Sequence, residues 1–182
     1  GEARAALIAA KEASSLPVMV TMTFEKDGRT LFGTDARTAA VVLESLGACA
    51  IGANCSTGPA QMQQIIEDMA SVTQVPIIAK PNAGLPYVDV NGVTCYTMGA
   101  EEFTEEMKLL AGKGACILGG CCGTTPEYIK ALRDALGNQP MEKAARRQPG
   151  IRFLSSGRKA AGFGLDGNFI IVGERINPTG KK

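Results

Sequence analysis

An α/β fold built on parallel strands is what this sequence predicts, on three observations. Apolar, β-branched runs alternate with helical runs four times between residues 16 and 137. That alternation calls for parallel strands joined by right-handed crossovers, in a doubly wound sheet or a (β/α)8 barrel. A full barrel takes eight units and about 250 residues, whereas four units are spelled out here. A helical stretch at residues 2–14 also precedes the first strand without a strand of its own. Together these give an expected C-terminal half-barrel of four βα units, followed by the first strand of a second barrel.

Each element has its own local reason. Residues 2–14 (EARAALIAAKEAS) are Ala-rich and suit a helix. "LPVMVTMTF" (16–24) is a buried strand by its apolar, β-branched composition. "DARTAAVVLESLG" (35–47) opens on an Asp N-cap and closes on Gly. "ACAIGANC" (48–55) is the next strand, and Pro59 starts the helix within 58–74. "VPIIAKPNAG" (75–84) is a third strand. "YVDVNGVTCY" (87–96) reads as a hairpin on a type I′ turn, the turn that Asn-Gly favours. An acid-led helix (100–114), a strand (115–120) and a helix at 125–137 complete the series, the last with Thr125 as N-cap and Pro126 in its first turn. Residues 1–137 thus form the barrel portion.

Composition changes after residue 137. Residues 138–168 mix Gly, Pro and Ser with a basic excess and read as a solvated linker, with a basic docking strip as the alternative. "NFIIVGERINPTGKK" (168–182) then begins a new strand, so 169–182 is expected to open a further domain. The chain starts without Met and already within a helical pattern, which reads as a piece of something larger.

Bulk properties exclude several classes. Apolar residues make up 45% and charged residues 20% of the 182 positions, a globular balance. A net charge of +1 gives no field for nucleic acid or an anionic membrane. No apolar run reaches the roughly 18 residues of a membrane span, and no signal peptide is visible. Six Cys with no His form no disulfide framework, so a reducing, cytoplasmic setting is expected.

The cysteines carry the chemistry. In an α/β barrel the reactive groups stand at the C-terminal ends of the strands. Asn54 and Cys55 close the second strand, Asn82 the third, and Cys121 and Cys122 the fourth. Three thiolates from two strands occupy three corners of a tetrahedron and leave one open, the layout of a catalytic zinc site. Adjacent residues of a regular strand point to opposite faces, so Cys121 and Cys122 share a metal only across a sharp bend. Gly119, Gly120 and Gly123 supply the backbone freedom expected for it. Cys49, Cys95 and Cys116 read as small buried hydrophobes. On spacing alone, a metal site and three further buried thiols remain open alternatives.

"GANCSTGPAQM" (52–62) and "GGCCGTTPEYI" (119–129) resemble the two zinc motifs of the homocysteine S-methyltransferase family. "VGERINPTGKK" (172–182) resembles the opening of the methyltetrahydrofolate-binding domain that follows this barrel in the cobalamin-dependent methionine synthases. The resemblance implies that Cys55, Cys121 and Cys122 are zinc ligands, and that Asn82 lies beside the metal and holds it when substrate is absent. It places Asn177 on the first strand of a folate barrel. It implies transfer of a methyl group to the thiolate of homocysteine, giving methionine, with methylcobalamin as donor and methyltetrahydrofolate recharging it. The implied partners are homocysteine, a corrinoid module and the remainder of the same chain.

Two rivals share part of this pattern. A homocysteine methyltransferase using betaine or S-methylmethionine directly would carry both zinc motifs but end soon after Leu136. A non-catalytic structural metal module would need a fourth Cys nearby, for which Cys116 is the close candidate.

Overall fold

A computed structural model describes residues 1–137 and 150–164 of the chain. Helix α1 (Glu2–Ala13) leads into strand β1 (Met19–Met22). Then come α2 (Ala36–Ser45), β2 (Ala50–Asn54), α3 (Pro59–Ala70) and β3 (Ile77–Lys80). Strands β4 (Pro86–Val88) and β5 (Thr94–Tyr96) precede α4 (Ala100–Gly112), β6 (Ala115–Leu118) and α5 (Pro126–Leu136). Strands β7 (Arg152–Ser155) and β8 (Ala160–Phe163) follow. The strands and helices expected between residues 2 and 137 are all present.

β1, β2, β3 and β6 form one sheet in that order, every neighbouring pair parallel. Sequential order with intervening helices is what repeated βα units produce. The register aligns Val20, Ile51, Ile77 and Ala115 in one row, and Met22, Ala53, Ala79 and Leu118 in another. Both rows pack against the helices, into a core with Met62, Ile66, Met69, Phe103, Met107 and Leu110. Those six side chains are fully buried, each contributing about 1.5–3 kcal/mol of apolar burial. The alternate residues point to the other face, where Met19 is 61% and Ile117 39% exposed and neither joins that core. The helices therefore cover one face of the sheet. Among the described residues no helix is long and apolar enough to cross a membrane.

Helix starts follow local chemistry. The Asp35 carboxylate accepts from the Thr38 amide at 2.7 Å, capping α2. Thr125 occupies the N-cap of α5 in extended backbone, but its side chain makes no cap bond. Pro126 and Glu127 mark that start instead, one by its fixed φ and the other by complementing the helix dipole.

Four expectations are corrected. β4 and β5 do pair antiparallel, but the connection is not a type I′ turn: Gly92 has φ +79, whereas Asn91 is not in the left-handed region. Asp89 decides this, because its carboxylate accepts from the Asn91 and Val93 amides and closes a longer loop. Cys49 and Cys116 are exposed, not buried; β6 lies at the edge of the sheet, with an irregular register between Ile77 and Ile78 opposite Cys116. Within the stretch expected as a linker, β7 and β8 make an antiparallel hairpin. Phe153 and Ala160 pack on the core, and Thr34 donates to the Gly157 carbonyl at 2.8 Å. Finally, Gly119 and Gly120 do not use the left-handed region; of the three glycines flanking the cysteine pair only Gly123 does, at φ +82. Residues 138–149 and 165–182, including Asn177 and the strand expected near 169–173, lie outside the described residues.

Gly52 is required for a different reason. A Cβ there would run into the backbone carbonyl of Ile78 on the neighbouring strand. Gly52→Ala is expected to cost more than about 2 kcal/mol, and Asp35→Ala about 1 kcal/mol, both read from urea unfolding midpoints. A Gly52→Ala chain as stable as the parent would contradict the close β2–β3 packing.

Candidate metal centre

Three loops at the C-terminal end of the sheet converge on one point. The first follows β2, where the ladder continues through a Cys55 amide bond to the Lys80 carbonyl at 3.1 Å. The chain then turns abruptly: Cys55 and Ser56 both take left-handed dihedrals, φ 58 and 62. These are the two non-glycine residues with positive φ among those described, and such strain gathers at functional sites. The Thr57 amide closes the turn on the Cys55 carbonyl at 2.7 Å. Thr57 itself is buried, and its hydroxyl has no protein partner among the described residues.

The second loop follows β3 and holds the third. The Cys121 amide donates to the Pro81 carbonyl at 2.9 Å, and the Ala83 amide to the Cys122 carbonyl at 2.9 Å. The Cys122 amide donates to Asn82 Oδ1 at 3.2 Å. Asn82 is 6% exposed, and its own amide donates to the Thr57 carbonyl at 3.0 Å, tying the first loop to the second. With the backbone of Cys121 and Cys122 pinned along residues 81–83, and Gly123 bending the exit, both side chains turn to the same side.

The sulfurs meet there. Cys55 Sγ lies 2.6 Å from Cys121 Sγ and 3.6 Å from Cys122 Sγ, and the adjacent pair are 3.9 Å apart. Among the described residues these three form the group of Cys, Asp and Glu able to hold a metal ion. Tetrahedral Zn–S bonds of about 2.3 Å put sulfurs about 3.8 Å apart. Two of the three separations fit that figure; Cys55 and Cys121 stand closer and would part by about 1 Å. Three soft donors suit zinc, copper(I) or iron–sulfur chemistry over magnesium or calcium.

The thiols influence one another. A hydrogen bond from Cys121, outweighing partial burial, holds Cys55 below the usual thiol range. Burial, then the bonds to Cys55 and Cys122, pushes Cys121 up to about 11. Without an ion, Cys55 thus gives up its proton more readily than Cys121. None of the six cysteines is in a disulfide. Cys116 Sγ points to the Ile77 carbonyl at 3.8 Å and stands outside the cluster, so the fourth ligand of a structural site is not supplied by it.

Two features escaped the sequence reading. One is the strained pair at Cys55 and Ser56. The other is Tyr96 of β5, whose phenol is raised above its ordinary value by desolvation first, then by the charge of Cys122 and a hydrogen bond with it. The hairpin strand gave no sign of this, since Tyr is an ordinary strand residue.

The comparisons with known proteins bear on the same segment. A family model described as homocysteine S-methyltransferase matches residues 1–136. The chain is 33% identical over 169 residues to the methionine synthase of Mycobacterium tuberculosis (strain ATCC 25618 / H37Rv). It is also 33% identical over 174 residues to that of Mycobacterium leprae (strain TN). Each match covers 92% of this chain, which spans 14% of the length of each relative. A solved structure, the oxidized form of the homocysteine methyltransferase MmuM from Escherichia coli, superposes with TM-score 0.57 at 20% identity. That match covers 74% of this chain and 41% of the other.

Removing the Asn82 carboxamide takes away the acceptor of the Cys122 amide. Asn82→Ala is expected to cost about 1 kcal/mol in chemical denaturation. A loss below about 0.5 kcal/mol would show that the Cys122 amide finds another acceptor.

Proposed function

The chain belongs to the homocysteine S-methyltransferase family, and from that premise we propose that it carries the zinc-binding portion of an enzyme that methylates the thiol of homocysteine to give methionine. The observation that carries the reading is the convergence of Cys55, Cys121 and Cys122 within 4.8 Å at the C-terminal end of a parallel sheet.

The three cysteines would hold Zn²⁺ and leave a fourth position for the substrate sulfur. Zinc bound there supplies the Lewis acidity that keeps a thiol, otherwise of pKa about 8.5, deprotonated at neutral pH. Three anionic sulfurs from the protein leave the metal electron-rich, so the substrate sulfur stays nucleophilic. Its lone pair forms the new C–S bond, and the bond from the methyl group to its donor breaks. The chain's own part is to hold three sulfurs on rigid loops. Asn82 serves this first through Cys122, its oxygen being engaged by that amide; a direct contact with the ion would require that bond to be given up.

The sheet fits the C-terminal half of a (β/α)8 barrel, in support of which stand its sequential strand order and its one helix-covered face. As methyl donor we favour methylcobalamin recharged by methyltetrahydrofolate over betaine or S-methylmethionine. Support comes from the methionine synthase matches, whose 169 and 174 aligned residues exceed the 136 of the family model. In this reading residues 138–168 connect to a folate-binding unit that begins at 169–182 and includes Asn177. That part rests on sequence alone.

Single Cys55→Ala, Cys121→Ala and Cys122→Ala substitutions in the full-length protein are each expected to abolish zinc retention and homocysteine methylation together. Cys49→Ala and Cys95→Ala should leave both near the parental level. Full zinc and activity in Cys55→Ala would overturn the site. Zinc uptake at pH 7 should also release protons, because Cys121 must give up the one it holds up to about pH 11. Affinity is therefore expected to rise with pH between about 6 and 8; calorimetry in buffers of different ionisation enthalpy measures the release, and a pH-independent affinity would contradict it.

A further inference from the structure

Strand β5 of the β4–β5 hairpin ends on Tyr96. A Cβ on Gly123 would run into Tyr96 Cγ and Cδ2, so the ring packs directly against Gly123, the residue that follows Cys122. The hairpin is not free to swing away from this position. The Met98 amide donates to the Ala83 carbonyl at 3.1 Å, and the Thr97 amide to the Leu85 carbonyl at 3.1 Å. Tyr128 Oη on α5 donates to the Met98 carbonyl at 2.6 Å. Ala83 in turn donates to the Cys122 carbonyl. The base of the hairpin and the cysteine pair are thus held by one strip of backbone, and Tyr96 closes the loop from the other side.

We propose that Tyr96 is a positioning residue of the thiol centre: its ring clamps Gly123 so that Cys122 stays turned toward Cys55 and Cys121. The ring acts by volume, since without it the bend at Gly123, already in the left-handed region that glycine alone enters freely, loses its support. Groups packed behind a metal ligand in this way hold its orientation.

This inference rests on the metal reading of the cluster, and the test separates the two. The full-length protein is loaded with Co²⁺ as a spectroscopic stand-in for Zn²⁺, and affinity is measured by competition with a chelator. Tyr96→Ala is expected to weaken binding about 10–100-fold, with far-UV circular dichroism confirming that the chain is folded. Tyr96→Phe, which keeps the ring, should restore binding to within about threefold of the parent. Parental affinity in Tyr96→Ala, or a Tyr96→Phe chain that binds as weakly as Tyr96→Ala, overturns the inference and leaves the metal reading standing. A parent protein that takes up no Co²⁺ overturns both.

Discussion

The site depends on a short zip of backbone between residues 121–122 and 81–83. Two adjacent residues of a strand project to opposite faces, which would forbid a shared ligand for Cys121 and Cys122. The zip removes that obstacle. Cys121 donates to Pro81, Cys122 to the Asn82 side chain, and Cys122 accepts from Ala83. Every backbone group used there is satisfied off the regular ladder, so leaving the strand carries little hydrogen-bonding penalty. The side chains are then oriented by the loop and no longer by the pleat.

The opposite side of the cluster is built by strain. Cys55 and Ser56 each sit in a region that costs a non-glycine residue about 1–2 kcal/mol. Such a conformation persists when its surroundings over-determine it. Here a ladder bond to Lys80 precedes the turn, and Thr57, Gly58 and Pro59 are buried immediately after it. The Asn82 backbone amide donates to the Thr57 carbonyl, linking the strained loop to the zip. Distortion on one strand and relaxed hydrogen bonding on the other thus bring three sulfurs from two strands to one point.

The sheet explains why this point is accessible. Helices pack on a single face, and the loops at the C-terminal strand ends stand clear of that core. Ligands in parallel α/β sheets gather at those strand ends because the crossover helices occupy the flanks. The cluster follows that geometry while being only partly buried, which leaves it open to a ligand from solvent.

Much of this was legible from the sequence. Periodicity located the four parallel strands and the helices between them, because alternation of burial is a local property of successive residues. Asp35, Pro59 and Pro126 marked helix starts, because capping acts within a single turn. Strand-end placement brought Cys55, Cys121, Cys122 and Asn82 to one rim, because parallel strands all end on the same side. What the sequence left undecided depends on partners distant along the chain. Asp89 overrode the Asn-Gly preference, the hairpin at 152–163 formed against α2, and Cys49 and Cys116 came out exposed. The bend fell on Gly123, Cys55 and Ser56, where Gly119 and Gly120 had looked equally suited. Asn82 took the Cys122 amide, and Tyr96 arrived from a hairpin 26 residues before Cys122. Local pattern fixes which face a residue shows; only the register between segments decides what that face meets.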